Sequence, residues 1–143
     1  MRLVERIVGL DASLTDTWQA LIKADDWPQW MPVRSVETSP AGKVDRNTSA
    51  VIRWNSGRPM SVVVTEFRPG RSFRWTGRVF GASVSYDHVA TSAGTGSEVL
   101  FILEVNGPTA PIVARFLKPA YERALDEACL LYTSDAADDL VSV

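Results

Sequence analysis

Along the chain, hydrophobic residues recur at two distinct spacings, and the two together outline its elements. From Thr109 to Ala128 the apolar positions Val113, Phe116, Leu117, Ala120, Ala124 and Ala128 fall three or four apart. Arg115, Lys118, Glu122, Arg123, Asp126 and Glu127 fall between them. This spacing predicts one long amphipathic helix, with Thr109 as N-cap and Pro111 in a first turn that does not need its N–H. Twenty residues at ~1.5 Å each make a rod of about 30 Å. Pro119 lies mid-helix, where a proline removes one hydrogen bond and favours a bend. A second, shorter stripe of Leu14, Trp18, Leu21 and Ile22 predicts a helix capped by Ser13 or Thr15 and ending near Lys23–Asp25. The segment Asp25–Pro32, with Trp27, Pro28, Trp30 and Pro32, reads as a turn or second short helix pinned by its indoles.

Elsewhere the pattern alternates. Leu3–Leu10, Val33–Thr38, Thr48–Asn55, Met60–Phe67, Ser72–Phe80, Ala82–Thr91 and Glu98–Asn106 are predicted strands. The loop 39–47, Ser56–Gly57, Arg68–Gly70, Gly81 and Ser92–Gly96 separate them. The order is one strand, a helical insert, six strands and one long helix. Short regular connections favour an antiparallel meander on which the last helix lies.

Composition narrows the reading. At 143 residues and 45% hydrophobic content, the chain suits one domain with a real core. A formal charge of −2, with 15 basic residues spread along the chain, gives no electrostatic footprint for nucleic acid. Arg2, Glu5 and Arg6 interrupt the first ten residues, and no run approaches the ~18 apolar residues of a membrane span. The expectation is a soluble, cytoplasmic protein. The single Cys129 makes no internal disulfide, and no cysteine–histidine cluster has metal-ligand spacing, so neither metal nor cofactor is expected.

Several of these features occur together in a known family. The opening strand, the helix carrying Leu14-Thr-Asp-Thr-Trp18, the Trp27-Pro-Gln-Trp30 segment, a meander with Gly94-Thr-Gly96 and the long final helix resemble the polyketide cyclase/dehydrase branch of the START-like, Bet v 1-like superfamily. The resemblance spans roughly residues 3–128. It implies an α+β helix-grip fold, in which a curved seven-stranded antiparallel sheet wraps around the C-terminal helix, with short helices between strands 1 and 2. It also implies a cavity between sheet and helix for an apolar or aromatic small molecule. The family includes cyclases, carriers and members without known activity, so the fold does not select a reaction.

Alternation along the strands suggests what lines such a cavity. Phe73, Trp75, Tyr86, His88, Phe101 and Leu103 are placed inward, with Phe116 of the helix facing them. His88 is the only histidine, and its ordinary pKa lies near neutrality. With Tyr86 on the same strand face it would form a proton-transferring pair for an enolisable carbonyl. The competing reading is a strand histidine hydrogen-bonded at the sheet margin and a core tyrosine with a satisfied hydroxyl. Glu66 is either a cavity carboxylate or a salt-bridge partner near a turn. Arg53, sharing a face with Asn55, either orients a polar ligand group or is a solvated edge residue. Trp18 belongs to the core, Trp75 is placed to stack on a flat ligand, and Trp27 and Trp30 are either a lid or a structural anchor.

The sequence from Cys129 onward abandons the helical pattern. Its Cys-Leu-Leu-Tyr-Thr-Ser-Asp-Ala-Ala-Asp run is similar to a translated adapter read-through, so 1–128 is expected to be the domain and 129–143 a non-native or weakly structured tail. Three functions remain open. The first is a domain that binds a small apolar, aromatic or polyketide-like molecule, with or without cyclase activity. The second is a cofactor-free aldolase or lyase using His88 and Tyr86. The third is a protein-interaction module of the same superfamily, which a collapsed cavity and a large exposed apolar patch would favour. Monomer and homodimer are both compatible with the sequence.

Overall fold

The computed structural model describes residues 1–29, 31, 33–54 and 59–131, with only the helical backbone for 127–131. Seven strands form one antiparallel sheet: β1 Arg2–Leu10, β2 Val33–Ser39, β3 Ser49–Trp54, β4 Pro59–Arg68, β5 Ser72–Val79, β6 Ala82–Ala93 and β7 Gly96–Asn106. Their spatial order is β1-β7-β6-β5-β4-β3-β2. β2 through β7 therefore follow one another as a meander. The chain crosses from β1 to the far edge through α1, Leu14–Ile22, and a 3-10 helix, Ala24–Gln29. The C-terminal helix α2 runs from Ala110 to Leu131 and packs on β1, β7 and β6. This is the expected helix-grip arrangement.

The capping chemistry is partly as anticipated. The Ser13 hydroxyl accepts from the Asp16 amide at 3.2 Å and starts α1. Thr109 uses its hydroxyl differently, donating to the Phe80 carbonyl at 2.7 Å, while its own carbonyl accepts from Ile112 and Val113. That bond ties the start of α2 to the β5–β6 turn instead of capping the helix.

The inward face of α2 differs from the predicted stripe. Ala110, Val113, Tyr121 and Leu125 are buried, with Leu117 half-buried between them, and they form an unbroken series at three- and four-residue spacing. Phe116 is 74% exposed and Ala120 is also exposed. Phe116 precedes Leu117 by one residue, which is about 100° of helix rotation, and so it turns away from the sheet. Pro119 also lies on the outer side, and the chain stays helical through it. α2 continues three residues past Ala128 to Leu131; residues 132–143 of the expected tail lie outside the described residues.

The strands are offset at three places, and one offset matters for the site. Between β4 and β5, Val64 pairs with Trp75 and Glu66 with Arg74, so the register shifts across Thr65. Strict alternation from Val62 and Val64 would carry Glu66 inward. The extra residue instead leaves Glu66 outside and returns Phe67 to the inner face beside Phe73.

Candidate functional site: the aromatic inner face

Every side chain that alternation placed inward on β5, β6 and β7 is buried: Phe73, Trp75, Tyr86, His88, Phe101 and Leu103. They share one face because the pairs Phe73–His88, Trp75–Tyr86, Tyr86–Leu103 and His88–Phe101 stand directly opposite one another across the strands. The rings are in mutual contact. Phe73 stacks on His88 at 4.4 Å between centroids, Phe73 meets Trp75 edge-on at 5.3 Å, and Phe101 meets His88 edge-on at 5.6 Å.

The crossover segment completes this wall. Trp27 is buried, donates its indole N–H to the Leu21 carbonyl at 3.0 Å, and packs against Trp75 at 5.2 Å and His88 at 5.6 Å. Of the two readings considered for Trp27, the anchor holds. Trp18 on α1 reaches Phe67 and Phe73 and is a core residue. Its helix is fixed to the sheet by the buried Thr17 and Ser97 hydroxyls, 2.6 Å apart. Trp30 and Asn55 lie outside the described residues.

His88 sits at the centre of this wall, 1% exposed, and its Nδ1 has no well-formed hydrogen bond among the described residues. Burial pushes its pKa down to about 4. Asp87 on the opposite face and the Phe73 backbone act more weakly in the other direction. The imidazole is therefore neutral at physiological pH. Tyr86 has its phenol pushed well above the usual range by burial. Its hydroxyl meets the Met60 Sδ at 3.8 Å, a weak acceptor, and its ring meets Tyr121 of α2 at 5.2 Å. Tyr86, Met60 and Tyr121 together form a seam between the sheet and α2.

Three sequence candidates lie elsewhere. Glu66 is on the outer face, 3.6 Å from the Arg74 guanidinium, and its salt-bridge reading is the one realised. Arg53 is exposed on β3, between the buried Ile52 and half-buried Trp54, and points away from the inner face. Phe116, as noted, faces away from the sheet. The outer face has its own order: Arg74 forms a two-pronged pair with Asp87, one prong at 2.9 Å, directly behind His88. Thr65, Thr76 and Ser85 form a hydroxyl ladder at 2.9 and 3.1 Å.

Two clefts among the described residues lie outside the wall. One, of about 620 Å³, is open on the outer face of β2–β6 around Ser49, Ser61, Thr65, Thr76 and Arg78. The other, about 380 Å³, lies by Leu14, Arg68, Arg71 and Ser92. The expected lining residues are thus gathered on one face but are packed upon each other. Alternation could not have revealed this, because Trp27, which packs on Phe73, Trp75 and His88, comes from a segment with no strand periodicity. Among the described residues no group of three or more histidine, cysteine, aspartate or glutamate side chains could hold a metal ion. No described helix is long and apolar enough to cross a membrane.

Known proteins share this architecture. The chain is similar in fold to the di-domain ARO/CYC StfQ from the steffimycin biosynthetic pathway, with a TM-score of 0.72 and 13% identity. That match covers 98% of this chain and 51% of StfQ, so the chain spans about half the length of that protein. It is also similar to DynU16 from the dynemicin biosynthetic locus, with TM-score 0.67, 16% identity, and 92% and 47% of the two chains covered. DR_A0006 from Deinococcus radiodurans gives 0.63 and 15% identity over 95% and 97%. The comparison with curated proteins found no match. The family described as polyketide cyclase / dehydrase and lipid transport matches residues 1–128, nearly the whole described fold. With its seven-stranded sheet gripping α2, the chain belongs to that polyketide cyclase / dehydrase and lipid transport family.

Proposed function

We propose that the chain binds a small aromatic or polyketide-like molecule between its inner sheet face and α2, with neutral His88 as the polar contact. The observation that carries this reading is the position of His88. An imidazole nitrogen without a well-formed hydrogen bond, in a wall of Phe73, Trp75, Trp27 and Phe101, costs about 1–3 kcal/mol of stability. A flat guest carrying one phenol or carbonyl group would recover that cost while stacking on the surrounding rings. Entry requires α2 to part from the sheet at Tyr86, Tyr121 and Met60, where the tyrosine hydroxyl gives up only a weak contact with sulfur. Membership of the family and the biosynthetic settings of StfQ and DynU16 support the same guest class.

The test compares 1-naphthol with naphthalene by calorimetry on the wild type and on His88→Phe. The wild type is expected to prefer the phenol by several-fold to tenfold, the worth of about one hydrogen bond, and the variant to lose the preference. Equal affinities in the wild type, or binding of neither compound, would contradict the proposal.

A cyclase reading rests on a second observation: Tyr86 and His88 lie two residues apart on one face of β6. In that reading neutral His88 accepts the proton from the carbon beside a carbonyl, and Tyr86 donates to the developing enolate oxygen. Its low pKa makes His88 a weak base at pH 7, so binding is the primary proposal. If turnover of a polyketide-like substrate is found, Tyr86→Phe and His88→Gln should each lower kcat with ligand affinity retained. Unchanged kcat in both would remove the pair from the chemistry.

A further inference from the structure

The β5–β6 turn and the start of α2 take no part in the aromatic wall. At the β5–β6 turn Phe80 is 83% exposed, and it adopts φ +48°, a left-handed conformation that side-chain-bearing residues seldom hold. The Thr109 hydroxyl fixes its carbonyl, which sets the turn against the first turn of α2. There Ile112 is 63% and Phe116 74% exposed, and exposed Pro119 continues the same side of the helix at i, i+4 and i+7. The first half of α2 thus carries a short apolar stripe on its solvent side in addition to its buried side. Exposed Arg115 and Lys118 adjoin Phe116 and Pro119 along the helix, and neither forms an ion pair among the described residues. No acidic residue occurs from Ala110 to Tyr121.

We propose that this end of the molecule docks on an anionic lipid surface. Phe80, Ile112 and Phe116 would enter the headgroup–acyl boundary, and Arg115 and Lys118 would contact the lipid phosphates. The charge decides the occupant. Apolar residues beside the unpaired Arg115 and Lys118 complement an anionic bilayer, whereas a two-fold dimer through the same patch would set cation against cation. The left-handed backbone at Phe80 belongs to the two-residue β5–β6 hairpin it forms with Gly81, φ +85°, and the hairpin presents the exposed ring at this end of the molecule. The site is separate from His88 and does not depend on what the interior binds.

The experiment is flotation of the full chain with vesicles of phosphatidylcholine alone or mixed with phosphatidylglycerol. Binding at least tenfold stronger to the mixed vesicles, weakened by high salt, is expected. Phe80→Asn with Phe116→Ser should weaken it at least tenfold with the melting temperature unchanged or raised, because Asn tolerates the left-handed turn. Arg115→Glu with Lys118→Glu should weaken it as much. Equal binding to both vesicle types, or charge reversal without effect, would overturn the proposal. So would light scattering that shows a dimer dissolved by the Phe80→Asn, Phe116→Ser pair in a protein that floats with neither vesicle.

Discussion

His88 gives the chain a pH dependence whose sign follows from its burial. Its pKa is about 4 in the folded protein against an ordinary 6.5 when unfolded. Between these values the unfolded chain binds the proton and the folded one does not. Stability contributed by the neutral imidazole is therefore complete above pH 6.5 and is lost as pH falls towards 4, by on the order of 3 kcal/mol. Thermal melts from pH 7 to 4 should show this decline, and His88→Phe should flatten it. The same variant should melt a few degrees higher at pH 7, because it removes a buried group lacking a good partner and keeps an aromatic ring on Phe73. A wild-type and variant pair that lose stability in parallel on acidification would contradict the assignment. On the opposite face, Arg74→Met should cost about 1–2 kcal/mol by chemical denaturation, since Asp87 is mostly buried and would lose both prongs of its partner.

At the scale of elements, the strands constrain substitution more sharply than the helix surface does. A Cβ at Gly96 would lie 2.1 Å from the Leu10 carbonyl oxygen, and one at Gly77 would lie 2.7 Å from that of Ser61. Both contacts are with backbone, which cannot swing aside. Gly96→Ala should therefore destabilise by 2 kcal/mol or more and loosen the β1–β7 edge, read as faster amide exchange at Val8 and Val99. Phe116→Ser on the outer side of α2 should leave the melting temperature within a degree or two. These elements were largely legible in the sequence, because period-two alternation placed six inner-face residues of β5, β6 and β7 correctly. The phase of α2 was harder to read. Phe116, Ala120 and Ala124 are apolar enough to suggest a stripe, but the sheet selects Tyr121 and Leu125, whose polar tip and later position hid the true series. The orientation of Glu66 was not legible at all. A single extra residue at Thr65 reverses every later side chain of β4, and only the pairing with β5 reveals it.

Considered as a whole molecule, the domain has an aromatic wall on one side of the sheet, a polar cross-strand network on the other, and an apolar-cationic end at the start of α2. The wall was foreseen, and the packing of Trp27 on it was not, since that residue arrives from the crossover between β1 and β2. The proposed small-molecule binding requires the wall and α2 to separate at Tyr86, whose hydroxyl meets only the Met60 sulfur. Because His88 is the only imidazole in the chain, ¹⁵N labelling of histidine gives an uncrowded view of the proposed contact. The most direct measurement is the imidazole ¹⁵N spectrum of the full chain at neutral pH, recorded with and without saturating 1-naphthol and then naphthalene. A neutral ring with one nitrogen resonance that moves with the phenol but not with the hydrocarbon is the result expected. A ring that titrates near pH 6.5, or that ignores both compounds, would contradict the claim that His88 waits in the wall for a polar partner.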